Sequence, residues 1–117
     1  MDDEYDITHL VRMVLESKGF LVDAYTDPIF ALSDFKAGLY DLLLLDIRMP
    51  EMNGLELYQK MKQIDSNVKV CFITASELFY EEYRRMETHP WLDKAYFIQK
   101  PFRTEEMVEQ IKAIIFA

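Results

Sequence analysis

The chain has 117 residues, half of them hydrophobic, with 21 acidic against 13 basic side chains and a formal charge of −8. That length and apolar content suit a single domain, residues 1–117, and three Gly with four Pro exclude a collagenous, low-complexity or linker-dominated chain. The acidity argues against a nucleic-acid surface, the lone Cys71 excludes an internal disulfide framework or a multi-cysteine zinc site, and no apolar run nears the roughly 18–20 residues of a bilayer span.

The opening Met-Asp-Asp-Glu is unlike a secretory leader, and with the cysteine usage it points to a reducing cytoplasm. Ile7, Leu10, Val14 and Leu15 recur at helical spacing, and Gly19 supplies a left-handed stop. Phe20 to Tyr25 reads as a short strand. Asp27 before Pro28 is a helix start, with Phe30, Ala31 and Phe35 as the helical stripe and Gly38 as its end. Leu42 to Leu45, four apolar residues in a row, suits a strand covered on both faces, as in a parallel sheet flanked by helices. A helix from about Gly54 turns Leu57, Met61 and Ile64 inward. Val68 to Ile73 is a second buried strand, and Ser76 caps a helix carrying Leu78, Phe79, Tyr80, Tyr83 and Met86 that ends at Pro90. Ala95 to Ile98 is a third short strand, stopped at Lys100-Pro101. Thr104 caps a last helix with Glu105 and Glu106 in its first turn and Met107, Ile111, Ile114 and Ile115 inward.

Helix and strand alternate throughout, which implies an α/β domain with right-handed crossovers and helices on both faces of a parallel sheet. Ligands of such sheets sit beyond the carboxyl ends of the strands. Asp46, Thr74 and Lys100 stand just past three strands, and Asp2 and Asp3 precede the first helix, where another strand end is expected. Clustered carboxylates raise one another's pKa unless a cation intervenes, and an all-oxygen set with room for water suits Mg²⁺. A carboxylate is also a competent nucleophile toward phosphorus, giving an acyl phosphate, with the metal and a lysine countering charge on the equatorial oxygens. Thr74 and Lys100 are placed to contact two phosphoryl oxygens. The set reads as a phosphate-accepting aspartate site.

In this order and at these spacings, Asp2-Asp3, Leu42 to Leu45 with Asp46, Met49-Pro50, Asn53-Gly54, Thr74-Ala75 and Lys100-Pro101 resemble a response-regulator receiver domain over nearly the whole chain. The resemblance implies a flavodoxin-like doubly wound parallel sheet of strand order 2-1-3-4-5. It implies that Asp46 accepts a phosphoryl group from a sensor histidine kinase, with Mg²⁺ held by Asp2, Asp3, Asp46 and the backbone carbonyl of Arg48. Thr74 and Phe97 become the switch pair, and the Lys100–Pro101 peptide is cis. The module implied is a switch rather than an enzyme, cytoplasmic, acting on a downstream protein, with homodimerisation as a further option and no direct contact with nucleic acid or membrane.

Two departures stand out. Domains of this kind begin with an apolar strand, central in the sheet, where this sequence has only Met1 before Asp2, so a gap is expected in the middle of the sheet. The preferred reading is a chain shortened by a misassigned start or by choice of boundary; the alternative re-pairs its strands or borrows one from another subunit. The second departure is Ser76 to Asp93, where Met86 to Leu92 replaces a small-residue turn, and Phe79, Tyr80, Tyr83 and Trp91 either pack on the sheet or form a partner surface. Arg48 and Ser76 flank the path of attacking water and are expected to tune phosphoryl lifetime. His9 and His89 lack ligand-spaced partners, and Cys71 reads as an inert buried thiol. Two other functions compete: a degenerate receiver serving as a binding scaffold, and an aspartate-nucleophile phosphohydrolase, which needs a second Asp where Arg48 stands.

Overall fold

The computed structural model describes residues 1–75 and 97–116. In chain order these form α1 (Tyr5–Ser17), α2 (Pro28–Asp34), β1 (Leu42–Asp46), α3 (Gly54–Ile64), β2 (Lys69–Thr74), β3 (Phe97–Gln99) and α4 (Thr104–Ile115). The strands are parallel in the order β1-β2-β3, with Leu45 opposite Phe72 and Phe72 opposite Phe97. Alternation along β1 sorts its leucines between two cores. Leu43 and Leu45 join Phe72 against Phe35, Leu57 and Met61 of the α2 and α3 layer. Leu42 and Leu44 lean on the opposite core, where Cys71 and Ile73 meet Val11, Leu15, Met107 and Ile111 of α1 and α4. Helices therefore cover both faces, as a doubly wound parallel sheet requires.

Local signals explain most boundaries. Gly19 ends α1 at φ 90°, with Phe20 N–H bonded back to the Leu15 carbonyl, and Asp27 caps α2 by accepting from Ile29 N–H at 2.8 Å. Other expectations shift. Val11 rather than Leu10 is buried in α1, and Phe30 and Ile64 are exposed. α2 ends at Asp34, short of Gly38, and α4 begins at Thr104 with Arg103 in the cap position and no side-chain cap. Ser76, the aromatic stretch through Trp91, His89 and the start of the third strand at Ala95 lie outside the described residues.

The segment Phe20 to Tyr25, expected as a strand, joins no ladder, because the position beside it is filled only at one end. There Met1 donates from its Nα to the Leu44 carbonyl at 2.6 Å and accepts from Asp46 N–H at 2.8 Å, one rung of a parallel ladder opposite Leu45. Asp2 N–H reaches the Tyr25 carbonyl on the other side at 3.2 Å. Below that bridge the two backbones bound a cavity of about 590 Å³. Leu42 and Leu44 are consequently half-buried, where the sequence pattern predicts full cover. The expected gap in the sheet is present, and Met1 and Asp2 span its upper end.

Candidate functional site

Parallel strands deliver their last residues to one edge. Asp46 closes β1, Thr74 closes β2, and Lys100 follows β3 by one residue. Lys100 N–H donates to the Thr74 carbonyl at 2.7 Å and the Lys100–Pro101 peptide is cis, as expected. Asp2 arrives from the other direction, positioned by its own N–H on Tyr25. Its Oδ1 accepts from Glu4 N–H at 3.0 Å, and Thr8 Oγ1 donates to its carbonyl at 2.8 Å, which fixes the turn into α1.

One carboxylate oxygen each from Asp2, Asp3 and Asp46 lies within 4.8 Å of the others, with Asp2 and Asp46 buried and Asp3 exposed. Lys100 Nζ stands 2.8 Å from Asp2 Oδ2, 3.5 Å from Glu4 Oε1 and 3.7 Å from Asp46 Oδ2. One ammonium thus faces three carboxylates. Burial first, and then the charge of Asp2, push the Asp46 carboxyl up to about 7, with Lys100 pulling the other way. For Lys100 itself, burial works to lower the pKa but is outweighed by the Asp2 hydrogen bond and the charges of Asp46, Asp2 and Glu4, so the net shift is upward. The corner carries surplus negative charge on oxygen donors alone, which fits a small hard divalent cation.

The loop after Asp46 is clamped at its far end. Asn53 caps α3 by accepting from Glu56 N–H at 2.9 Å, and Gly54 N–H donates to the Ile47 carbonyl at 2.9 Å. A Cβ on Gly54 would overlap the Asp46 carbonyl oxygen, so only glycine lets α3 start this close to the acidic residue. Arg48 lies in this loop with its side chain exposed.

The structure therefore brings Asp2, Asp3, Asp46 and Lys100 together and places buried Thr74 at the adjoining strand end. Phe97 is half-buried, its ring 5.4 Å from that of Phe72. Sequence reasoning missed Glu4, whose approach to Lys100 depends on the direction in which α1 starts. It also missed the Met1 amine, which burial lowers to about 6 against the charges of Asp2 and Asp46.

The response regulator receiver domain family matches residues 1–112 of this chain. The chain belongs to that family. Among curated relatives of this receiver domain, the transcriptional regulatory protein DltR of Streptococcus agalactiae is 30% identical over 112 residues, covering 96% of this chain and 48% of the relative. Sporulation initiation phosphotransferase F of Bacillus subtilis is likewise 30% identical over 112 residues, covering 96% of this chain and 87% of the relative. The response regulator TrrA of Thermotoga maritima, solved in complex with Mg(2+)-BeF, superposes with a TM-score of 0.78 at 29% identity over 97% of this chain and 93% of that one. The non-phosphorylated HemR receiver domain of Leptospira biflexa shares the fold at a TM-score of 0.85 and 24% identity, over 99% and 90% of the two chains. The receiver spans about half the length of DltR. Receiver domains are signalling modules of two-component phosphorelays, and among the described residues no helix is long and apolar enough to cross a membrane.

Proposed function

We propose that Asp46 is the phosphoacceptor of this receiver, taking a phosphoryl group from a sensor histidine kinase and thereby switching a protein-interaction surface. The observation that carries the reading is the buried Asp46 carboxylate at the end of β1, within ion-pair reach of Lys100 and beside Asp2 and Asp3. In the reaction an Asp46 carboxylate oxygen attacks phosphorus as the bond from phosphorus to the donor's histidine nitrogen breaks, its electron pair returning to the ring. Lys100 holds positive charge against the equatorial oxygens, and the Thr74 hydroxyl donates to one of them. Asp2, Asp3, Asp46 and the Arg48 carbonyl would hold Mg²⁺, which supplies charge neutralisation at the transferring group and lets the ionised form of Asp46 persist near neutral pH.

Thr74 and Phe97 form the switch pair: the hydroxyl shifts toward the phosphoryl group and the Phe97 ring follows into the space left beside Phe72. Residues 1–117 act as one cytoplasmic domain, with a downstream protein, and optionally a second copy, as output. The chain's −8 charge opposes direct contact with nucleic acid. The module is not itself an enzyme, since the position where a phosphohydrolase needs its second Asp is Arg48.

Incubation with acetyl phosphate and Mg²⁺ tests this, read by intact mass. One phosphoryl group per chain is expected, absent with chelator and absent in Asp46→Asn. Continuous phosphate release over many turnovers would establish the phosphohydrolase instead. No adduct on a folded chain would make it a scaffold.

A further inference from the structure

Leu45, Phe72 and Phe97 form one row across the sheet, each the parallel partner of the next, and all three pack into the core that holds α3. Phe72 is the middle member and has no exposed surface. Its ring lies 5.4 Å from that of Phe97 on β3 and 5.7 Å from that of Tyr58 on α3, the latter pair perpendicular at 88°. Tyr58 is itself buried, and Lys62, one turn on, places its Nζ 5.6 Å from the centre of the Tyr58 ring. Three rings in sequence therefore lead from β3, across β2, to a partly exposed cation on α3.

The backbone is pinned where this file begins and at its middle. Phe72 is paired to β1 on one side and to β3 on the other. The Phe97 carbonyl accepts from Gln110 Nε2 of α4 at 2.8 Å. A rearrangement at Phe97 is therefore a side-chain rotation rather than a strand movement. A core at crystal-like density has little slack for a displaced ring. A Phe97 ring turning inward meets Phe72, and Phe72, fixed at its Cα, passes the displacement to Tyr58. Its neighbours Cys71 and Ile73 belong to the opposite core, so Phe72 is the residue of β2 that joins both rings.

We propose that Phe72 is a positioning residue of the switch, setting how far the Phe97 ring turns inward and carrying that movement to Tyr58, so that α3 reports phosphorylation at Asp46. The inference rests on the switch reading given above and adds a residue and an element to it. Coupling of this kind is reciprocal. A smaller side chain at position 72 eases the inward turn of Phe97 and cuts the path to α3.

The test labels the chain with 3-fluorotyrosine, or in a second sample with 4-fluorophenylalanine, and follows its fluorine spectrum during reaction with acetyl phosphate and Mg²⁺. Tyr58→Phe and Phe97→Leu identify the two lines of interest. In the unaltered chain both lines move as the adduct forms and return as it hydrolyses. In Phe72→Leu the Phe97 line still moves and the Tyr58 line stays, a separation that a merely structural role would not produce. Phe97→Leu, a change at a half-buried site, abolishes the Tyr58 response to the adduct. The same substitution shifts the Tyr58 line of the metal-free chain, and does not in the Phe72→Leu background, so the file is tested without any adduct. Intact mass of each sample counts phosphoryl groups, which separates failure of the acceptor reading from failure of the relay. The proposal is overturned by a Tyr58 line that stays in place in the phosphorylated unaltered chain, or by an undiminished Tyr58 response in Phe72→Leu or Phe97→Leu. It is equally overturned by a metal-free Tyr58 line indifferent to Phe97→Leu.

Discussion

Asp46 sits where its own charge is unwelcome, because burial and the neighbouring Asp2 both favour the protonated form. Its carboxyl moves from the ordinary 3.8 to about 7 in the folded chain. Between those values the native state keeps a proton that the unfolded chain has released, so stability falls as pH rises through that window and levels off above it. In metal-free buffer, Asp46→Asn is therefore expected to unfold roughly 5 °C higher than the unaltered chain at pH 8, with the difference shrinking toward pH 4. Thermal scans across that range check it; a pH-independent difference would contradict the assignment. Lys100 supplies the opposite effect. Lys100→Met leaves Asp2, Glu4 and Asp46 without their shared cation and costs about 2 kcal/mol at pH 8, less than a fully buried pair because the ammonium keeps some solvent. Mg²⁺ should restore part of that loss, which urea titration with and without the ion will show. Asp46 and Lys100 were legible because each follows an apolar run, and parallel strands end together. Glu4 and the Met1 amine were not, since nothing in sequence spacing reports where a chain start folds back.

At the scale of elements, the contact between α3 and the end of β1 depends on one missing side chain. Gly54→Ala would press a methyl into the Asp46 carbonyl, which is backbone and cannot rotate away. A loss of about 2–3 kcal/mol is expected, seen as a lower urea midpoint at unchanged slope. The sequence flagged Gly54 as part of a motif but could not give this reason, which requires two elements in three dimensions. Lys69 is a parallel case. It interrupts the apolar start of β2, yet its Nζ donates to the Ile114 and Ile115 carbonyls at 2.8 and 3.2 Å, satisfying the end of α4. Lys69→Met should cost about 1 kcal/mol and speed amide exchange in the last turn of α4. Helical periodicity located α1 but chose Leu10 over Val11, because apolar residues stand at both and only the neighbouring α4 decides which is covered. Thr104 is a favourable cap by type, but the chain turns into α4 one residue earlier.

At the scale of the molecule, alternation of helix and strand was enough to predict helices on both faces of a parallel sheet and a site at its carboxyl edge. The run Leu42 to Leu45 carried much of that information, since four apolar residues in a row between Gly38 and Asp46 suit a strand covered on both faces. What the pattern could not describe was how the gap beside β1 is closed: Met1 makes a single rung and the rest remains a cavity. The site's surplus negative charge has a whole-chain consequence. Saturating Mg²⁺ should raise the midpoint of the unaltered chain by several degrees at pH 8 and leave Asp46→Asn nearly unmoved, because ligand binding to the native state alone is what shifts it. Equal stabilisation of both would place the ion elsewhere.

The most direct measurement is to locate the phosphoryl group. After reaction with acetyl phosphate and Mg²⁺, the chain is reduced with borohydride, which converts an acyl phosphate to an alcohol, and its peptides are sequenced by mass spectrometry. The account predicts reduction at Asp46 alone. Reduction at Asp2 or Asp3, or at no aspartate in a folded, Mg²⁺-bound chain, would contradict it.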